Sequence, residues 1–63
     1  MSNNSTYYQL VFCEKFTIQE GIAAIEEKVN ELCDNGWQPQ GGICVMQNDM
    51  GYYNFYQAMI RDF

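Results

Sequence analysis

The chain has 63 residues, an apolar fraction of 48% and a net charge of −5, with Lys15, Lys28 and Arg61 as its only cations. That length admits one domain, and three cations cannot build the basic face that DNA or RNA demands. The acidity disfavours anionic membrane surfaces, and no run of about 18 apolar residues is present to cross a bilayer.

Met1-Ser2-Asn3-Asn4-Ser5 opens the chain with neither a basic region nor an apolar run. Residues 1–5 are therefore expected to be disordered, to carry no export signal and to leave the protein in the cytoplasm. A single α+β domain is expected over 6–63. Thr6 to Glu14 is rich in aromatic and β-branched residues without Gly or Pro, which predicts a strand. Tyr8, Leu10 and Phe12 share one of its faces; Tyr7, Gln9, Val11 and Cys13 share the other.

Thr17-Ile18-Gln19-Glu20 has the form of a capping box, in which the Thr17 hydroxyl accepts from the Glu20 amide and the Glu20 side chain returns to the Thr17 amide. Behind it, Ile18, Ile22, Ile25, Val29 and Leu32 recur at helical spacing and predict an amphipathic helix. Asn35-Gly36 closes that helix, with Gly36 free to turn left-handed. An extended entry from Trp37 then leads into a second strand through Ile43, Cys44, Val45 and Met46. The turn formers Gln47 to Gly51 follow, and a third strand runs from Tyr52 to about Arg61.

The order is β-α-β-β. A helix joining the first two strands favours their being parallel with a right-handed crossover. The third strand then fits between them, giving a three-stranded sheet of order 1-3-2 with the helix on one face. Small Ala58 suits close approach of the helix, so Tyr56, Ala58 and Ile60 are assigned to the covered side. Tyr53, Phe55, Gln57, Met59 and Arg61 are assigned to the open side, where large apolar side chains would mark an interface or a binding groove.

Domains this small are usually held by disulfides, a metal or a second subunit. Cys13, Cys33 and Cys44 are odd in number and lack C-x-x-C spacing, so free thiols are expected. With no histidine and three scattered thiols, no metal site or cofactor is expected. A homodimer is the remaining route to stability. The absence of histidine also removes the commonest general base, and no basic residue neighbours a cysteine in sequence to activate it; no enzyme activity is expected.

Gly41-Gly42 reads either as a bulge or close sheet–helix contact, or as backbone amides exposed to a phosphate. Trp37 reads as a core plug at the helix exit. Of Tyr52 and Tyr53, one should be core and the other on the open face. Arg61, the only arginine, is the best single candidate to contact an anion.

The succession Val29-Asn30, Leu32, Gly36-Trp37, Pro39, Gly41-Gly42 and Tyr56-Gln57-Ala58-Met59 resembles the small bacterial and phage domain family DUF 1737. The resemblance covers nearly the whole chain and implies a phage-type setting, but no established activity. By analogy of size and setting, the expected function is an anti-defence sponge. This would be a homo-oligomer that sequesters a nucleotide-derived immune signal, such as a cyclic nucleotide or ADP-ribose derivative, without cleaving it. Tyr7, Gln9, Tyr53, Phe55 and Gln57 would stack on and read the base, while Gly41, Gly42 and Arg61 hold phosphate. The alternative is a protein-interaction module that docks a host protein through its open sheet face, an unpaired edge strand or its acidic surface.

Overall fold

A computed structural model describes residues 6–62; the expectation of disorder in 1–5 lies outside these residues. The chain runs β1 (Thr6–Lys15), α1 (Ile18–Asp34), β2 (Gln38–Gln47) and β3 (Tyr53–Asp62). It forms the expected α+β sheet of order β1-β3-β2, with β3 antiparallel to both neighbours. No helix among the described residues is long and apolar enough to cross a membrane.

Both ends of α1 are determined locally. Thr17 is extended, at φ −123° and ψ 155°, and its hydroxyl oxygen accepts from the Glu20 amide at 3.2 Å. The second half of the box differs from expectation: the Thr17 hydroxyl donates to the Glu20 carboxylate at 2.9 Å. At the other end Gly36 has φ 90°. The Gly36 amide donates to Cys33 O at 3.1 Å and the Trp37 amide to Leu32 O at 3.0 Å, which completes a Schellman turn. Thr17→Ala removes the N-terminal acceptor and should cost about 1 kcal/mol. In a domain this small that corresponds to a fall of roughly 4–8 °C in Tm, readable by circular dichroism.

The core lies between α1 and the face of the sheet formed by the odd-numbered residues of β1 and β3. Val11, Cys13, Ile25, Phe55 and Met59 are buried there, with Ala24, Val29, Leu32, Trp37 and Tyr53 packed around them. The expected helical stripe is realised only in part. Ile25 is buried, but Ile18 and Ile22 are exposed, and the first turns approach the sheet through buried Gly21 instead. A Cβ at Gly21 would overlap the Phe55 ring. Glycine is thus what allows the helix to settle on an aromatic side chain.

This corrects the assignment of sheet faces. Phe55, Gln57 and Met59 lie under the helix, while Tyr56, Ala58 and Ile60 lie on the open side. Small Ala58 pointed to the wrong face because the small residue that permits close approach is on the helix.

The β2–β3 pairing carries a register shift between Gln40 and Cys44. Gln40 pairs with Ala58 and Cys44 with Tyr56, so Gly41, Gly42 and Ile43 bulge opposite the single residue Gln57. Gly41, at φ 75°, supplies the left-handed turn this requires. The hairpin tip is organised by Asn48, whose side-chain oxygen accepts from the Met50 amide at 3.0 Å and the Tyr52 amide at 3.1 Å.

Candidate functional site

The residues expected to bind a nucleotide do not converge. Tyr7, Gln9, Tyr53, Phe55, Gln57 and Arg61 do share a face, but it is the face that α1 covers. Phe55 is sealed beneath Gly21 and presents no ring to a base. Tyr53 packs against the core, whereas its neighbour Tyr52 is exposed, with its ring edge-on to Phe16 at 5.4 Å between centroids. The division of this pair between core and surface holds; the assignment of Tyr53 to the open face does not.

Gln57 is only 4% exposed, and its side-chain nitrogen is used internally. It donates to Gly41 O at 3.1 Å, Ala58 O at 3.0 Å and Gln40 O at 3.4 Å. One of those carbonyls, Gly41 O, belongs to the bulged segment and a second, Gln40 O, immediately precedes it, where the regular pairing ends and a backbone oxygen needs another donor. Gln57 is therefore a strut that holds the bulge, and is not a reader of base edges. Gly41 and Gly42 serve the same bulge.

Arg61 lies four residues further along β3, roughly 13 Å from the bulge at a strand's rise per residue. Its guanidinium sits 6.0 Å from the Trp37 ring centroid, where cation–π attraction holds it. Tyr7 is its cross-strand neighbour. The arginine and the paired glycines are therefore not parts of one phosphate cradle. Among the described residues, no three Cys, Asp or Glu side chains converge on a point that could hold a metal ion.

The surface that does stand out is the other side of the sheet. Pairing places Tyr8 beside Ile60, Leu10 beside Ala58 and Phe12 beside Tyr56, with Cys44 and Met46 continuing across β2. Tyr8 is 62% exposed, Leu10 58%, Phe12 48% and Met46 58%. The Phe12 and Tyr56 rings are 5.2 Å apart between centroids and tilted by 41°, a contact that orders the middle of the patch. With each large side chain contributing on the order of 100 Å², the apolar surface reaches about 400–600 Å², the upper end of what monomers leave uncovered.

Polar groups frame this face at its two ends. Thr6 and Asp62 form one end, where the Thr6 hydroxyl donates to the Asp62 carboxylate at 2.8 Å. Glu14 lies at the other end, where its carboxylate accepts from the Asn48 side-chain amide at 3.0 Å. None of the three cations belongs to it: Lys15 and Arg61 are odd-numbered strand residues on the helix side, and Lys28 is on α1.

Comparison of the chain with family models, with curated proteins and with solved structures returns no match. The functional reading therefore rests on this chain's own geometry.

Proposed function

We propose that the chain is a protein-docking module and that its working surface is the open sheet face centred on Leu10, Phe12 and Tyr56. The observation that carries this reading is the exposed patch of Tyr8, Leu10, Phe12 and Met46, held on paired strands with no helix or strand among the described residues laid over it. A rigid, broad and apolar surface suits the apolar centre of another protein. Glu14 and Asp62, framing the two ends, favour a partner with lysine or arginine around that centre. A phosphorylated nucleotide fits this face less well, since no cation lies on it to meet the phosphate.

Phe12→Glu separates binding from folding. Phe12 is half exposed, so the substitution should change stability by less than about 1 kcal/mol. It should nevertheless weaken partner binding by at least roughly 30-fold, as loss of a central aromatic anchor does.

The partner can be sought with a photo-cross-linking amino acid placed at Tyr8, on the patch, and separately at Glu27, on the exposed side of α1, in cells that naturally encode the chain. A discrete heterologous adduct at Tyr8, absent at Glu27 and abolished by Phe12→Glu, supports the proposal. The same diffuse products at both positions overturn it. A panel of nucleotides should leave Tm unmoved; a shift that survives Phe12→Glu would favour a nucleotide held elsewhere on the chain.

A further inference from the structure

The two edges of the sheet are built differently. β2 carries Pro39, which cannot donate, and then the bulge at Gly41–Ile43, so its outer edge is broken in two places. β1 has neither defence. Its ten residues pair with β3 without interruption from Thr6–Asp62 to Lys15–Tyr53, and among the described residues no strand pairs with its other edge. No proline, glycine or bulge interrupts it, and its only lysine is the last residue. A long, regular and apolar edge of this kind is competent to add another strand.

Beside that edge, between β1 and α1, lies a groove of about 310 Å³ lined by Gln9, Leu10, Val11, Lys28, Glu31 and Leu32. We infer that the groove and edge are filled by a second copy of this chain, with β1 pairing antiparallel to the partner's β1 about a two-fold axis through Leu10.

Three observations favour this occupant. A two-fold axis on a residue pairs even with even and odd with odd, so both copies keep the same side chains on each face. Centred on Leu10, the midpoint of the Gln9–Val11 floor, it sets Tyr8 against the partner's Phe12 and Gln9 against the partner's Val11. No like charges then meet across the strands.

The same axis passes the α1 segment that overlies the groove. It sets Lys28 near the Glu31 position of the second copy, and Glu31 near its Lys28 position, so the wall is complementary in charge to itself. Finally, an edge roughly 33 Å long beneath a helix about 10 Å across covers on the order of 400–500 Å² per partner, so the dimer buries about 800–1,000 Å², at the lower bound for a specific interface.

The product is a six-stranded sheet of order β2-β3-β1-β1-β3-β2 with both helices on one face. Its other face joins the two open patches into one platform. Edge pairing stands whether or not a protein docks on that platform, and the following test reads only the edge.

In full-length protein carrying Cys33→Ser and Cys44→Ser, Leu10→Cys places two thiols directly across the axis. Opposed Cα atoms in an antiparallel pair are about 4.5–5.5 Å apart, within disulfide reach. Mild oxidation should convert most of this variant to a covalent dimer. Tyr8→Cys or Phe12→Cys alone should give less than about a tenth as much, while the two together restore it, since each faces the other. Packing of two open faces would hold the Leu10 backbones about 10 Å apart, too far for the bond.

Lys28→Glu should weaken the dimer about tenfold by sedimentation velocity, with recovery on adding Glu31→Lys. All the cysteine positions are exposed side chains, and circular dichroism checks that each variant folds. A monomer at tens of micromolar, equal cross-linking at all three single-cysteine positions, or no recovery by the charge reversal would each overturn the inference.

Discussion

Gly21→Ala is expected to destabilise the domain by about 2–3 kcal/mol, even though alanine is the better helix former. The propensity gain is at most about 1 kcal/mol. Against it stands the overlap of the new Cβ with the Phe55 ring. That ring is fully buried among Val11, Cys13, Ile25 and Met59, so it cannot swing away without displacing them. Overfilling a close-packed core costs about 1–3 kcal/mol and occasionally more. A 63-residue domain has only about 3–9 kcal/mol of total stability, so the loss would be a large fraction of the whole.

Urea unfolding gives the number directly. Phe55→Leu, which shortens the opposing side chain, should be less damaging in the Gly21→Ala background than alone, giving a coupling energy of about 1 kcal/mol in a double-mutant cycle. Gly42→Ala provides the contrast: nothing lies within 4 Å of the position a Cβ would take, and its φ is ordinary. That change should be neutral or slightly stabilising. Equal losses at Gly21 and Gly42 would show that helix packing is not what requires glycine.

Gln57→Glu should be the more damaging of the two at neutral pH, at about 3–4 kcal/mol. The substitution keeps the shape of the side chain but replaces a donor with an acceptor, facing the carbonyls of Gln40, Gly41 and Ala58. A buried carboxylate left among carbonyl oxygens loses its hydration and gains no hydrogen bond.

The pH dependence follows from the same geometry. Burial and the surrounding oxygens disfavour the charged form, so this carboxyl would titrate above the roughly 4.3 of an unfolded glutamate. Below 4.3 both states hold the proton and the penalty is absent. As pH rises from there towards the raised folded value, the unfolded chain ionises first and stability falls. The variant should therefore be closer to wild type at pH 4 than at pH 7, measured as the difference in Tm between the two proteins at each pH. A variant as stable as wild type at both pH values would mean that the strut is dispensable as a donor.

The fold was legible where local chemistry leaves one choice. Thr17 with Glu20 marks the start of α1, and Asn35-Gly36 marks its end. A β-α-β-β order with one hairpin leaves β3 between its neighbours. The face of β3 was not legible, because both of its alternating sets are apolar: Phe55 and Met59 on one side, Tyr56 and Ile60 on the other. Alternation separates the sets without saying which meets the helix. The available signal was Gly21, a costly residue for a helix interior, placed one turn before Ile25. Weighed against Ala58, it would have put a bulky ring under the helix and left Tyr8, Leu10, Phe12 and Tyr56 outside. Gln57 could not be recognised as a strut because a bulge has no side-chain signature beyond its glycines.

The free thiols gain a use from their positions. Cys44 pairs with Tyr56 and shares the open face, Cys33 is exposed on α1, and Cys13 is buried. The unaltered chain thus carries a built-in footprinting set of one reporter, one reference and one indicator of unfolding. Whatever settles on the sheet should slow alkylation of Cys44 while Cys33 reacts at its usual rate, and modification of Cys13 should register only molecules that have opened. Occupancy can then be read by mass spectrometry in a crude mixture, before the occupant is known and without a tag on the surface it covers.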